Sequence, residues 1–240
     1  MIVESKDNKK IKYINKLRNN KFMYKEKKFI VEGKHLVEEA YKNNILLETI
    51  STTDSEFEVP NTIITKNIMN YISTLKSKTD IIGICKFIDK KEIGNKIIIL
   101  DNVQDPGNIG TIIRSASAFN FDTIVLSMDS VSKYNDKLIR SSQGMLFNMN
   151  VITKNLDEFI LELKEKKYTI CATDVINGEK IDKVKGIDKF AVIMGNEGSG
   201  VSENIKKISD FNIYIPTSDN CESLNVSVAA SIIMYEINKE

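Results

Sequence analysis

The fold of this chain turns on Lys96-Ile97-Ile98-Ile99-Leu100-Asp101-Asn102-Val103-Gln104-Asp105-Pro106-Gly107-Asn108-Ile109-Gly110. Its apolar, β-branched start reads as a buried strand. Asp-Pro-Gly-Asn then makes a turn, with Asn108 as a candidate cap for a helix running to Phe119. Outward from this unit the pattern repeats. Thr123–Leu126, Tyr168–Ala172, Phe190–Met194 and Asn212–Ile215 read as strands, and Leu156–Lys166 and Ser202–Ile208 as helices. Val226, Ala229, Ala230, Ile233 and Ile237 mark a final amphipathic helix. Alternating strands and helices predict an α/β fold with a mostly parallel sheet from residue 93 to 240. In such sheets ligands gather where strand C-termini meet helix N-termini.

Upstream, Ile11, Ile14 and Leu17 recur at helical spacing, and Phe29-Ile30-Val31-Glu32-Gly33 leads into a helix through Leu36, Val37 and Ala40. Ile45–Ile50 reads as a strand, Ile68, Ile72 and Leu75 as a short helix, and Gly83–Ile88 as a strand. These elements predict a small α/β domain over residues 1–92, joined to the larger one through Asp89-Lys90-Lys91-Glu92.

Composition removes several chemistries. Three widely spaced cysteines, Cys85, Cys171 and Cys221, fit neither a disulfide framework nor a zinc ribbon and are expected as free thiols. The only histidine, His35, lies in a helical stretch, so histidine triads and HExxH metal sites are excluded, and no metal is expected. No apolar run approaches the ~20 residues of a membrane span, and the N-terminus lacks a signal pattern. The expected address is cytoplasmic.

The net charge is only +1, yet Lys9, Lys10, Lys12, Lys16, Arg18 and Lys21 crowd the N-terminal stretch with Tyr13, Phe22 and Tyr24 among them. That pattern suits a phosphate backbone, although it equally suits a solvated helical face.

Two further segments interrupt the strand–helix pattern. Val192-Ile193-Met194-Gly195-Asn196-Glu197-Gly198-Ser199-Gly200-Val201 runs a strand into a glycine-rich turn, where backbone can approach a ligand closely. It is not GxGxxG, so a nicotinamide oxidoreductase is poorly supported. Ile215-Pro216-Thr217-Ser218-Asp219-Asn220-Cys221-Glu222-Ser223-Leu224-Asn225-Val226-Ser227 is a polar loop before the last helix, which Ser223 or Asn225 could simply cap.

Taken together, Asn108-Ile109-Gly110 with Arg114, Gly195-Asn196-Glu197-Gly198-Ser199-Gly200, and Ser223-Leu224-Asn225-Val226-Ser227 closely resemble the three motifs of the SpoU (TrmH-like) ribose 2′-O-methyltransferases of the SPOUT superfamily. The resemblance covers about Ile97 to Glu236. More loosely, residues 1–92 resemble the ribosomal-protein-like substrate-binding domain of ribosomal RNA members. They depart from it at Met23, where an arginine is common, and at Ile81-Ile82, where a Pro-Gln pair is common. The resemblance implies a trefoil-knotted catalytic domain, a homodimer, and S-adenosyl-L-methionine as cofactor.

It further implies that backbone around Gly195, Ile215 and Leu224 holds adenosine, with Thr173, Asn196, Gly200 and Ser223 completing the cofactor set. Arg114 would be the principal catalytic residue, as electrostatic stabiliser or as base, with Glu197 orienting it. Asn108, Ser223 and Asn225 would hold ribose, cofactor carboxylate and loop geometry. Arginine occurs in this lysine-rich chain only at positions 18, 114 and 140, and a planar fork suits a site shared by phosphate and hydroxyl. The expected substrate is 23S ribosomal RNA. A transfer RNA ribose methyltransferase, a ribosomal RNA methyltransferase conferring antibiotic resistance, and a non-catalytic RNA-binding protein are the alternatives.

Overall fold

A computed structural model of the chain describes residues 2–89, 92–175, 178–218, 220 and 223–239. Lys90 and Lys91 of the expected linker, and Cys221, lie outside the described residues. The chain forms two compact units, Met1–Asp89 and Lys90–Glu240.

The first unit begins with two helices, α1 (Lys9–Leu17) and α2 (Asn20–Glu26). The break between them follows from capping. Asn19 adopts an extended backbone and its side chain accepts from Phe22 N, starting a new helix where α1 has just ended. Strand β1 (Lys28–Glu32), helix α3 (Lys34–Lys42), strands β2 (Leu46–Ser51) and β3 (Asn61–Ile63), helix α4 (Lys66–Ile72) and strand β4 (Ile81–Lys86) follow. The sheet order is β1-β4-β2-β3, with β4 antiparallel to both neighbours and β3 parallel to β2. Ile11, Ile14 and Leu17 from α1 meet Ile68, Met69 and Ile72 from α4 over Ile50, Ile82 and Ile84.

Leu75, expected within a helix, lies beyond its end. The chain leaves α4 at Ile72 because Ser73 and Thr74 turn onto Glu32. Ser73 Oγ donates to that carboxylate at 2.6 Å, Thr74 Oγ1 at 2.7 Å and Thr74 N at 3.1 Å. Arg18 adds an ion pair at 2.9 Å and donates to the Ile72 carbonyl. Burial alone would push the Glu32 carboxyl up, but these hydroxyls, the Thr74 amide and the guanidinium together hold it below its ordinary range.

The second unit carries strands β5 (Lys96–Leu100), β6 (Thr123–Ser127), β7 (Asn150–Lys154), β8 (Thr169–Thr173), β9 (Glu179–Lys180), β10 (Phe190–Met194) and β11 (Phe211–Tyr214). Its helices are α5 (Pro106–Ala118), α6 (Asp136–Ser141), α7 (Leu156–Glu165), α8 (Glu203–Ile208) and α9 (Val226–Asn238). All pairs in the seven-stranded sheet are parallel, in the order β7-β6-β5-β10-β8-β11-β9. Strands β6 and β7 build outward from β5 in one direction. After α7 the chain returns to β8 on the other side, leaving a gap that β10 fills.

Strand order therefore reverses at β5 and β10, the arrangement that opens a crevice at the carboxyl ends. Ile97, Ile99, Ala191 and Ile193 are buried with α7 and α8 on one face. Ile98, Leu100, Val192 and Met194 are as deeply buried on the other, the side on which α5 packs with α6 and α9. Strand β7 and helix α6 have no counterpart in the sequence reading, because residues 128–154 show neither a clean alternation nor a long helical period. No helix among the described residues is long and apolar enough to cross a membrane.

Candidate active site at the sheet's carboxyl edge

The loops after β5 and β10 are tied together as the two strands end. Asp101 N donates to the Met194 carbonyl at 2.8 Å, Asn196 Nδ2 to the Asn102 carbonyl at 2.9 Å, and Ser202 N to Asp101 Oδ2 at 2.8 Å. The buried Asp101 carboxylate thus holds the exit of the glycine loop and Asn102 holds its entry. Between them the loop closes on itself, with Asn196 N to Gly200 O at 3.1 Å and Gly200 N to Asn196 O at 2.9 Å. Gly200 has φ +69°, and a Cβ on Gly195 would lie 2.0 Å from the Gly200 carbonyl carbon. The Gly195 position excludes any side chain, and the left-handed backbone at Gly200 favours glycine.

Beside this loop opens a cavity of about 360 Å3, within the ~300–1,000 Å3 typical of small-molecule sites. Thr173, Gly195, Asn196, Gly200, Ile215, Ser223 and Leu224, the residues expected to hold cofactor, all line it, as does Glu197. Two charged lining residues were not singled out from sequence. Asp174 and Lys206 form an ion pair at 2.9 Å, whose hydrogen bond raises the lysine's pKa. Asp174 follows β8 directly, so the rule that ligands gather at strand ends would have found it.

Helix α5 starts differently from the sequence expectation. Its cap is Asp105, whose Oδ1 accepts from Gly107 N at 2.7 Å and Asn108 N at 3.0 Å. Lys137 pairs with the same carboxylate at 2.7 Å and, with those amides, holds it below the usual range. Asn108 is therefore no cap but a first-turn residue with its side chain available. That amide donates to Glu197 Oε1 at 2.6 Å and accepts from Asn225 Nδ2 at 3.1 Å. Asn225 does cap its helix, accepting from Ser227 N and Val228 N at the start of α9. Ser223 is exposed on the cavity wall.

Arg114 does not join this cluster within one chain. Six residues past Asn108, at about 100° per residue, it points roughly 120° away around α5. It is exposed, and among the described residues its side chain makes no hydrogen bond or ion pair. The expected contact with Glu197 is absent within the protomer, and Asn108 occupies the carboxylate instead.

In the first unit the expected RNA-facing set divides. Lys9, Lys12, Lys16 and Lys21 are exposed, and among the described residues only Lys12 of these is paired, with the exposed Asp7 at 2.8 Å. Lys10 is paired with Glu48, and Arg18 is turned inward onto Glu32. Arg18 thus leaves the surface set, because it neutralises a buried carboxylate. His35 is exposed on α3, and burial pushes the Cys171 thiol up to about 12 and Cys85 up as well. Neither of these thiols is poised as a nucleophile. Among the described residues no three His, Cys, Asp or Glu side chains cluster as metal ligands.

Known proteins match this chain along nearly all its length. Residues 95–235 match the model of the SpoU rRNA methylase family, and residues 8–83 that of an MRM3-like substrate-binding domain. The 23S rRNA (guanosine(2553)-2′-O)-methyltransferase RlmP of Bacillus subtilis is 34% identical, with 98% of each chain covered. An AdoMet-bound rRNA methyltransferase from Sinorhizobium meliloti superposes with a TM-score of 0.86 at 22% identity, covering 99% of this chain and 97% of that one. The AdoMet complex of the SpoU methyltransferase AviRb from Streptomyces viridochromogenes gives 0.82 at 18%, covering 96% and 97%. At these identities the two structures speak to the fold.

Proposed function

The chain belongs to the SpoU rRNA methylase family, and on that premise we propose that it methylates a ribose 2′-hydroxyl of 23S ribosomal RNA with S-adenosylmethionine. One observation carries the reading: the second and third motifs wall the cavity, and the first is hydrogen-bonded to its rim through Asn108 and Glu197. The lining fits the cofactor. Ile215, Leu224 and Val226 offer apolar surface to a purine, the glycine loop offers backbone donors and acceptors, and the Asp174–Lys206 pair offers both charges.

The bound cofactor supplies a methyl carbon activated by a sulfonium. The chain's residues must place a hydroxyl oxygen behind that carbon and manage one proton, so positioning supplies much of the rate. The Arg114 guanidinium holds the adjacent phosphate and stabilises the developing alkoxide. Glu197 keeps one carboxylate oxygen for that guanidinium while the other is bonded to Asn108.

Because Arg114 turns away from its own Glu197, it serves the site of a second protomer in a homodimer. Val228 and Tyr235, 47% and 51% exposed on α9, supply apolar surface for that association. The second unit carries the trefoil knot of the family to which its sequence belongs. Residues 8–83 hold the RNA, with Lys9, Lys12, Lys16 and Lys21 as phosphate contacts, in the cytoplasm where ribosomes are built.

Incubation with labelled S-adenosylmethionine and unmodified 23S rRNA or bulk transfer RNA tests the substrate. Label should enter 23S rRNA, and label in transfer RNA alone would overturn the assignment.

A further inference from the structure

We propose that Asn225 and Asn108 form a one-directional hydrogen-bond relay, through which the N-terminus of α9 sets the position of Glu197. The inference rests on the methyltransferase reading for its catalytic meaning, but its geometry stands alone. Asn225 Oδ1 accepts from Ser227 N at 2.9 Å, from Val228 N at 3.4 Å and from Ser227 Oγ at 2.6 Å. Backbone N–H groups cannot accept, so this side-chain atom is the oxygen and the amide's other end is the NH2. That NH2 donates to Asn108, which fixes the Asn108 oxygen toward Asn225 and its own NH2 toward Glu197. An ionised carboxylate only accepts, so the last link is satisfied in one sense only.

The consequence is a fixed polarity across three segments far apart in sequence. It runs from helix N-terminal N–H groups that have no partner within the helix, through two amides, to a carboxylate held at 2.6 Å. Glu197 Oε1 is occupied by Asn108, and because the residue is exposed its second oxygen is left for a guanidinium or a ribose hydroxyl. Asn108 and Asn225 are positioning residues in this account. They act through Glu197 rather than on the reacting atoms, and α9 is the rigid anchor that keeps the carboxylate from swinging.

Asn225→Asp separates the relay from simple capping. Aspartate caps a helix about as well as asparagine, so the melting temperature should stay within about 2 °C of the parent. The donor to Asn108 is lost, however, and a turned Asn108 would face Glu197 with its carbonyl. Single-turnover methyl transfer at saturating RNA and cofactor should fall roughly 10- to 100-fold, the scale of one charge-assisted hydrogen bond. Because the effect passes through Glu197, Asn225→Asp should cost nothing further in a Glu197→Ala background. The Asn108 side-chain amide, followed by 1H–15N NMR, should shift in both single variants.

Parental turnover in Asn225→Asp, or losses that multiply in the double variant, would overturn the relay. If the parent protein modified no ribose, the functional reading would fall, while an Asn108 amide unmoved by Asn225→Asp would by itself dispose of the relay.

Discussion

Gly195→Ala probes the site at its tightest point. The new methyl carbon would lie 2.0 Å from the Gly200 carbonyl carbon, 2.1 Å from Val201 N and 2.4 Å from Gly200 O. Carbon atoms sit about 3.5 Å or more apart, so the crossing must open by roughly 1.5 Å. All three obstacles are backbone, and that backbone is pinned by the paired bonds between Asn196 and Gly200 and by Ser202 N on Asp101. Opening it forfeits one or two hydrogen bonds at about 1 kcal/mol each and adds overpacking strain of about 1–3 kcal/mol. The free variant relieves that strain by opening the loop, so closing it on cofactor costs a total near 3 kcal/mol and weakens binding about a hundredfold. Gly198→Ala is the control, since its Cβ would meet nothing nearer than Asn196 Oδ1 at 3.5 Å. Titration calorimetry with S-adenosylmethionine reads both, alongside melting curves to check folding. Binding by folded Gly195→Ala within about threefold of the parent would show that the glycine crossing does not shape the cofactor site.

Arg114→Ala should fold and bind cofactor normally yet lose methyl transfer by roughly 10²- to 10³-fold, with little rescue by Arg114→Lys; near-parental single-turnover rates would remove Arg114 from the mechanism. Mixed with Glu197→Ala protomers, Arg114→Ala should recover about one quarter of parental activity through heterodimers, whereas no recovery would mean that arginine and carboxylate act within one chain. Glu32, whose carboxyl is held below its ordinary range, contributes stability above the unfolded value near pH 4.3 that is lost as pH falls through the lower folded value. Glu32→Gln should therefore melt lower at neutral pH and show a shallower acid limb; an unchanged acid limb would contradict the role given to the Arg18–Glu32 network. Replacing Lys9, Lys16 and Lys21 together by Ala should flatten the log K against log salt slope for RNA by about two, and an unaltered slope would place the phosphate contacts elsewhere.

What the sequence made legible was whatever depends on neighbours in the chain. Ile97–Leu100 and Phe190–Met194 are apolar runs long enough to require buried strands, and the polar breaks after them mark the edge where the cavity lies. Features set by distant residues were not legible. Asn108 looked like a helix cap because Asp-Pro-Gly-Asn offers two candidates for that role, and only the folded turn assigns it to Asp105. Arg18 looked like part of the basic surface because its partner, Glu32, lies 14 residues on at the end of β1, and burial of that carboxylate cannot be read locally. The amide chain from Asn225 to Glu197 spans separations of 117 and 89 residues. Each residue alone has an ordinary role as cap, turn or loop carboxylate; the motif resemblance names all three, and only the fold shows that they are bonded to one another.

The chemistry of the product is the most direct test of the central claim. Unmodified 23S rRNA treated with the protein and S-adenosylmethionine should gain a single methyl on ribose oxygen. The phosphodiester that follows it should then resist alkaline hydrolysis, because its attacking hydroxyl is blocked, leaving one gap in an otherwise even ladder. A methylated base within a fully alkali-labile ladder, or no methyl gained at all, would contradict the account.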